Sequence, residues 1–320
     1  MRTATATAHP NIALCKYWGK RDRGRNLPTN GSLSLTLAPF QTTTTVRWGA
    51  PVDAATLDGR AASTDEARKM FALLDRMHPG RPPVAIDTAN SFPTAAGLAS
   101  SASGFAALVL AADAAAGGGR SLEELARLAR VGSGSATRSL HGGWVEWPRG
   151  TDPEGRDSHG VPLAPAEHWD VRMVVAVVRA GRKETGSTEG MNHTVATSPF
   201  FPAWVDAAEA DVPEARDAVR TRDLERLGAI MERSAMRMHG SMLGADPWLC
   251  YFAPGSLLAL HAVRGLRRDG VGAWATMDAG PNVKVLCESN DAARVAAELS
   301  EAAERVEVLA PGGPAHVTVA

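Results

Sequence analysis

The chain has 320 residues, 44% of them hydrophobic and 22% charged, and a formal net charge of −1. That profile belongs to a globular protein of one large or two ordinary domains whose core needs no disulfide or structural metal. A balance so near neutrality supplies no overall field toward nucleic acid or membrane, although local charge in a pocket can still bind an anion.

The first elements are strands. "NIALCKYW" (11–18) and "SLSLTL" (32–37) flank a polar loop, and the β-branched "TTTTVRW" (42–48) follows. A helix is predicted at 64–77, a strand at 83–88 and an alanine-rich helix at 100–116. Ser121 and Glu124 have capping-box spacing at the head of the amphipathic "LEELARLARV". "GWVEW" (143–147) resumes strand alternation, and the Pro- and Gly-rich 149–168 reads as a long loop or linker. The second half opens on the strand "VRMVVAVV" (171–178). Helices are expected at 199–210, 213–220, 222–238 and 255–269. The strands "GAWATM" and "NVKVLC" surround the turn "DAGP", and a helix at 291–304 and a strand near 305–309 close the chain. This order predicts two α+β domains with the break near 168, that is 1–168 and 169–320.

The cysteines, Cys15, Cys250 and Cys287, are odd in number and lack a CxxC pair, so buried, reduced thiols are expected rather than a disulfide framework or a zinc site. "MRTATATAHPNIAL" has no signal-peptide core, and the apolar run 105–116, broken by Asp113, is too short to span a bilayer. A cytoplasmic protein is expected.

Five stretches carry candidate chemistry. "GLASSASG" (97–104) heads an apolar helix. Free N–H groups and the positive end of the macrodipole, with the hydroxyls of Ser100, Ser101 and Ser103, make a phosphate site without a lysine. The same residues equally suit a helix packed tightly on a neighbour. In "HPNIALCKYWGKRD" (9–22), alternation puts Ile12, Leu14 and Lys16 on one strand face, and Tyr17, Trp18, Lys20 and Arg21 crowd the strand end. That group can grip a phosphate ester or form a solvated strand end. "GSGSATRSLHGGWVEW" (132–147) sets Arg138 in a Gly/Ser loop with Ser133, suited to a bidentate grip on a carboxylate or phosphate. In "ATMDAGPNVKVL" (275–286), Asp278 ends a strand before a Gly-Pro turn, where it can act as a base in a cleft or bond its own turn. Lys284 reads as a solvent-facing strand residue. "TGSTEGMNHT" (185–194) places Ser187 and Thr188 after a strand.

Taken in order, "NIALCKYWGKRD", "NSFPTAAGLASSASGFAAL", "GSGSATRSLHGGWVEW", "TGSTEGM" and "MDAGPNVKV" resemble the diphosphomevalonate decarboxylase family of the GHMP kinase superfamily, from about residue 6 to about 287. The resemblance implies a two-domain GHMP kinase fold of the α+β class. Its N-terminal domain is ribosomal protein S5 domain 2-like and its C-terminal domain ferredoxin-like, with the active site between them. It also implies a homodimer and an ATP- and Mg²⁺-dependent reaction that converts mevalonate 5-diphosphate to isopentenyl diphosphate, ADP, phosphate and carbon dioxide.

By match to the family motifs, Asp278 orients or deprotonates the 3-hydroxyl, and Arg138, helped by Ser133, holds the C1 carboxylate. Tyr17, Trp18 and Lys20 line the diphosphate pocket with Ser187 and Thr188, Lys20 also counting among the catalytic groups. Gly97, Leu98, Ala99, Ser100, Ser101 and Ser103 wrap the ATP phosphates, with Ser100 or Ser101 near Mg²⁺, and Asn90 and Ser91 lie near the nucleotide. A relative acting on mevalonate 5-phosphate, a 3-kinase that does not decarboxylate, and a non-catalytic binding module are the alternatives.

Overall fold

A computed structural model describes residues 3–92, 100–178 and 185–319. Its first sheet has six strands in the order His316–Val319, Thr3–Ala8, Thr42–Trp48, Val84–Asn90, Ala54–Leu57, Arg60–Ala61. Alternation in Thr42–Trp48 buries Thr42, Thr44, Val46 and Trp48, and that face takes the helix Ser100–Ala116. The helix is apolar almost all round, as a helix enclosed by its neighbours must be. Its alanines meet Ala4, Ala6 and Ala8 of the first strand, so small residues on both sides let helix and sheet approach closely. Helices Thr64–Met77 and Leu122–Gly132 complete this layer, and each opens with a capping box, at Ser63/Glu66 and Ser121/Glu124.

The second sheet has eight strands. Seven run Val161–Ala164, Trp144–Trp147, Ser32–Ala38, Arg305–Pro311, Val171–Val177, Val283–Glu288, Ala273–Met277, and Asn11–Cys15 pairs with Ser32–Ala38. Helices Phe201–Thr221 and Leu224–Leu243 pack on one face through Val212, Val219, Leu227 and Met231. Helices Pro254–Arg268 and Ala292–Leu299 cover the other through Ala259, Val263 and Val295. With both faces covered, the central strands read as continuous apolar runs.

Several expectations are corrected. The helices expected at 199–210 and 213–220 are one, Phe201–Thr221, with Pro213 inside it. Buried Trp204, Ala208, Val212, Ala215 and Val219 carry one apolar stripe straight through the proline, so tertiary packing overrides the break. The expected loop 149–168 holds the strand Val161–Ala164 and a turn of 3₁₀ helix, Ala166–His168. The helix expected at 291–304 is shorter, Ala292–Leu299. Besides Val161–Ala164, six strands were not foreseen: Lys20–Asp22 and Leu27–Pro28, which pair within the expected polar loop, Ala54–Leu57 and Arg60–Ala61, and Thr3–Ala8 and His316–Val319, which pair with each other. A clean division at 168 therefore does not describe the sheets: His316–Val319 lies in the first sheet, and Arg305–Pro311 pairs with Ser32–Ala38.

Candidate active site

A cleft of ≈ 1910 Å³ runs between the helix-covered sheets. Asp278 follows the last residue of the strand Ala273–Met277. Its backbone carbonyl accepts the Gly280 N–H at 2.8 Å and closes the turn, which leaves the carboxylate free for other partners. That carboxylate lies 2.6 Å from Lys16 Nζ and 3.1 Å from Lys284 Nζ. The lysine side chains are only 2% and 1% exposed, whereas Asp278 is 32% exposed and lines the cleft. Burial alone would push the Asp278 carboxyl up, but the two lysine charges and their hydrogen bonds win and hold it well below the ordinary carboxylate range. Lys16 is pushed down by burial, against the pull of Asp278 and with the repulsion of Lys284. Such an Asp278 is a fixed anion at neutral pH. It is suited to accept and aim a hydroxyl, and is a poor proton acceptor until its lysines shift.

Lys284 is thus corrected from a solvent-facing residue to a buried one. Its strand, Val283–Glu288, is buried at every position but the last, so a lysine there needs an anion. The same signal marked Lys16, on one face with Ile12 and Leu14, yet neither lysine was singled out from sequence. The Lys16 backbone N–H donates to Ser234 Oγ at 3.0 Å, which ties the strand end to helix Leu224–Leu243.

Arg138 sits on the short helix Ala136–Ser139 and is 2% exposed. Its guanidinium donates to Asn11 Oδ1 at 3.2 Å and to Ser32 Oγ, and lies 5.6 Å from the Trp147 ring centre. Burial pushes it down to about 10, which leaves it charged at neutral pH. Asn11 and Ser32 carried no sequence signal of their own, since they are ordinary strand residues until the fold sets them beside Arg138. Gly134 gives this corner its room: a Cβ there would sit 3.0 Å from the Tyr17 ring and hydroxyl and from Trp147. Tyr17 Oη is buried and has no hydrogen-bond partner among the described residues. A buried orphan donor lining a cleft suits an anionic oxygen. Trp18 also lines the cleft, but its Nε1–H donates to Thr194 Oγ1 at 3.1 Å, so its contribution there is apolar. Lys20, half-buried, lines the cleft too, and is pushed down by burial and by the charges of Lys69 and Arg23.

Two helices begin at this cleft. Ser100 and Ser101 open Ser100–Ala116, and Ser101 Oγ lies 3.2 Å from Ser133 Oγ. Ser187 and Thr188 open Ser187–Thr197, with Gly186 as the N-cap. The positive dipole ends of two helices therefore face the cleft from two lobes. Gly97, Leu98 and Ala99 lie outside the described residues.

Ser103 and Ser91 are placed elsewhere than the cleft lining. Ser103 is buried, its hydroxyl 2.6 Å from Thr42 Oγ1, because position 103 turns to the sheet side of its helix. Ser91 Oγ accepts the Gln41 N–H at 2.9 Å at the end of its strand. Asn90 does line the cleft, with Oδ1 accepting from Thr42 Oγ1 at 2.7 Å. Cys250, expected to be buried, is exposed and lines the cleft, whereas Cys15 and Cys287 are buried. Among the described residues no group of three or more His, Cys, Asp or Glu is placed to hold a metal ion.

Comparison with known proteins places this geometry. Residues 8–160 match the diphosphomevalonate decarboxylase-like N-terminal domain, and residues 173–310 the mevalonate 5-diphosphate decarboxylase C-terminal domain. The diphosphomevalonate decarboxylase of Aspergillus fumigatus is 40% identical over 92% of this chain and 78% of its own, and that of Candida albicans 38% identical over 89% and 84%. The solved structure of MDDEF in complex with MVAPP, AMPPCP and magnesium superposes with a TM-score of 0.92 at 39% identity, covering 99% of both chains. Mevalonate diphosphate decarboxylase from Staphylococcus aureus superposes with a TM-score of 0.93 at 36% identity, covering 99% of this chain and 98% of that one. At this level of likeness the molecule is an α+β enzyme of the GHMP kinase fold. Within that class, the chain belongs to the diphosphomevalonate decarboxylase family.

Proposed function

We propose that the cleft binds ATP and mevalonate 5-diphosphate and transfers the γ-phosphoryl group to the tertiary 3-hydroxyl. The 3-phosphate then departs with its bonding electrons, C1 is lost as carbon dioxide, and the C1–C2 electrons form the new double bond. The products are isopentenyl diphosphate, ADP, phosphate and carbon dioxide. The observation that carries this reading is Asp278 held as an anion between Lys16 and Lys284 at the cleft wall.

In this reading Asp278 accepts a hydrogen bond from the 3-hydroxyl and aims its oxygen, and the proton displaced by phosphoryl transfer ends on the released phosphate. Arg138, fixed by Asn11 and Ser32, holds the C1 carboxylate together with Ser133. Tyr17, Lys20 and the helix head at Ser187 and Thr188 take the diphosphate, and Trp18 packs beside it. The helix head at Ser100 and Ser101 takes the ATP phosphates, near Asn90. Phosphoryl transfer asks chiefly for positioning and charge neutralisation, and this inventory offers both. The hydroxyls of Ser100 and Ser101 are the oxygen donors we assign to Mg²⁺, a hard cation that keeps oxygen ligands and waters. When bound, the ion supplies positive charge at the phosphate oxygens.

The relative solved with MVAPP, AMPPCP and magnesium supports this ligand set. Cytoplasmic location and homodimeric assembly belong to the same reading. No helix of the described residues is long and apolar enough to cross a membrane. A homodimer predicts a light-scattering mass twice that of the 33.6 kDa chain.

A coupled assay with ATP, Mg²⁺ and mevalonate 5-diphosphate should release ADP and carbon dioxide in equal amounts. ADP alone would assign a 3-kinase, and neither product a binding module. Faster turnover of the monophosphate would move the substrate assignment.

A further inference from the structure

One side chain crosses the turn between Ala273–Met277 and Val283–Glu288. The register sets Thr276 opposite Lys284 and Met277 opposite Val283. Alternation then puts Thr276 and Asp278 on one side, so Asp278 is the diagonal neighbour of Lys284 across the turn. Lys284 Nζ lies 3.1 Å from Asp278 Oδ2 and donates to the Asn282 carbonyl at 3.3 Å. A single ammonium thus ties the residue that enters the turn to a residue that leaves it. Asn282 is itself fixed, its Oδ1 accepting the Val178 N–H at 3.0 Å just past the neighbouring strand Val171–Val177.

The two lysines divide the carboxylate between them. Lys16 Nζ takes Oδ1 at 2.6 Å, and Lys284 Nζ takes Oδ2. Their footings differ. Lys16 lies just past the end of Asn11–Cys15, whereas Lys284 sits inside Val283–Glu288, which has a paired strand on each side. Lys284 also has its second anchor at Asn282. Asp278 is 32% exposed at the cleft wall, and an aspartate there turns easily about its terminal torsion unless both oxygens are held. Lys284 is the group placed to stop that rotation. Stability is a weak reason for the pairing, since a buried ion pair rarely outdoes apolar packing.

We propose that Lys284 is a positioning residue for phosphoryl transfer: by tying Asp278 Oδ2 to the Asn282 carbonyl it fixes the plane of the carboxylate, and so the direction from which Asp278 meets the 3-hydroxyl. This rests on the proposed reaction, but the orientation of the carboxylate can be read without turnover. The competing account is a lysine that only balances a buried charge, with Lys16 sufficient to aim Asp278.

Lys284→Met removes the ammonium and leaves a flexible apolar chain that suits an apolar strand. Positioning predicts a loss of kcat by about 10–100-fold, with both KM values within about threefold of wild type. It also predicts, in a crystal structure of the variant, an Asp278 carboxylate turned from its wild-type plane by more than about 20°. Lys284→Arg, which keeps a cation able to reach the carboxylate, should recover about tenfold of the lost kcat. Wild-type kcat in Lys284→Met, a reduced kcat with the carboxylate unmoved, or a Lys284→Arg no faster than Lys284→Met overturns the proposal. If either variant does not fold, Lys284→Gln takes its place. As the partner of Lys284→Met it should be the faster, because its amide keeps a donor. As the partner of Lys284→Arg it should be the slower, and the reverse order in either comparison overturns the proposal. A wild type that releases neither ADP nor carbon dioxide defeats the functional reading and leaves the comparison of carboxylate orientations standing.

Discussion

At the scale of the residue, the site turns on one carboxylate serving two buried lysines. Asp278→Asn keeps the shape and removes the only carboxylate that pairs with Lys16 and Lys284 among the described residues. Turnover should fall by about 10³-fold or more. Stability should fall as well, by about 3 kcal/mol at pH 7, the scale at which removing one partner of a buried pair acts. The sign of the pH dependence follows from Lys16, whose folded form is already pushed down. In the variant it is pushed lower still, so the penalty is full below the folded lysine value, where the lysine is protonated in both states. It is relieved as pH rises toward the unfolded lysine value of about 10.4. Urea midpoints of wild type and variant should therefore converge between pH 7 and pH 10, and a constant gap would remove the charge argument. Asp278 and Arg138 were legible in the sequence because each is a lone charge in a Gly-containing turn or loop. Lys284 was misread because strand alternation assumes one wet face, and Val283–Glu288 has none.

At the scale of the element, capping boxes, β-branched runs and apolar stripes located most helices and strands to within a few residues. The helices opened by Ser63 and Ser121 follow from local chemistry alone. The error at Phe201–Thr221 has the opposite cause: Pro213 is a local stop signal that long-range packing overrules. A proline inside a helix forgoes one N–H and crowds the carbonyl four residues back. Pro213→Ala should therefore raise stability by about 2 kcal/mol, after subtracting the entropy that alanine returns to the unfolded chain. Thermal unfolding checks this, and an unchanged midpoint would show that the helix has already relaxed around the proline. The Gly/Ser stretches were ambiguous from sequence for a related reason. "SSASG" holds cleft-lining Ser100 and Ser101 and core-facing Ser103 within four residues, and only the helix phase separates them.

At the scale of the whole molecule, the two lobes are joined by pairing as well as by a connecting segment. Arg305–Pro311 lies between Ser32–Ala38 and Val171–Val177, and His316–Val319 closes the edge at Thr3–Ala8. A fragment of residues 1–168 would expose both the Ser32–Ala38 and the Thr3–Ala8 edges. Expressed alone it should show no cooperative thermal transition, and refolding it together with residues 169–320 should restore one. A sharp transition from the first fragment alone would show that the shared strands add little. The family motifs made the two-lobed plan legible, but this exchange of strands was not, because pairing partners this far apart leave no local trace in composition or periodicity.

The Thr3–Ala8 strand also has a consequence for synthesis. It is made well before its partner His316–Val319, the hydrogen bond from Thr318 to Thr5 spanning 313 positions. While the residues between them are translated, the first lobe therefore carries an open β-edge, the kind of surface on which chains join one another. The wait for His316–Val319 makes the closing of that edge, rather than the early pairing of Thr3–Ala8 with Thr42–Trp48, the step at which a chaperone would matter most.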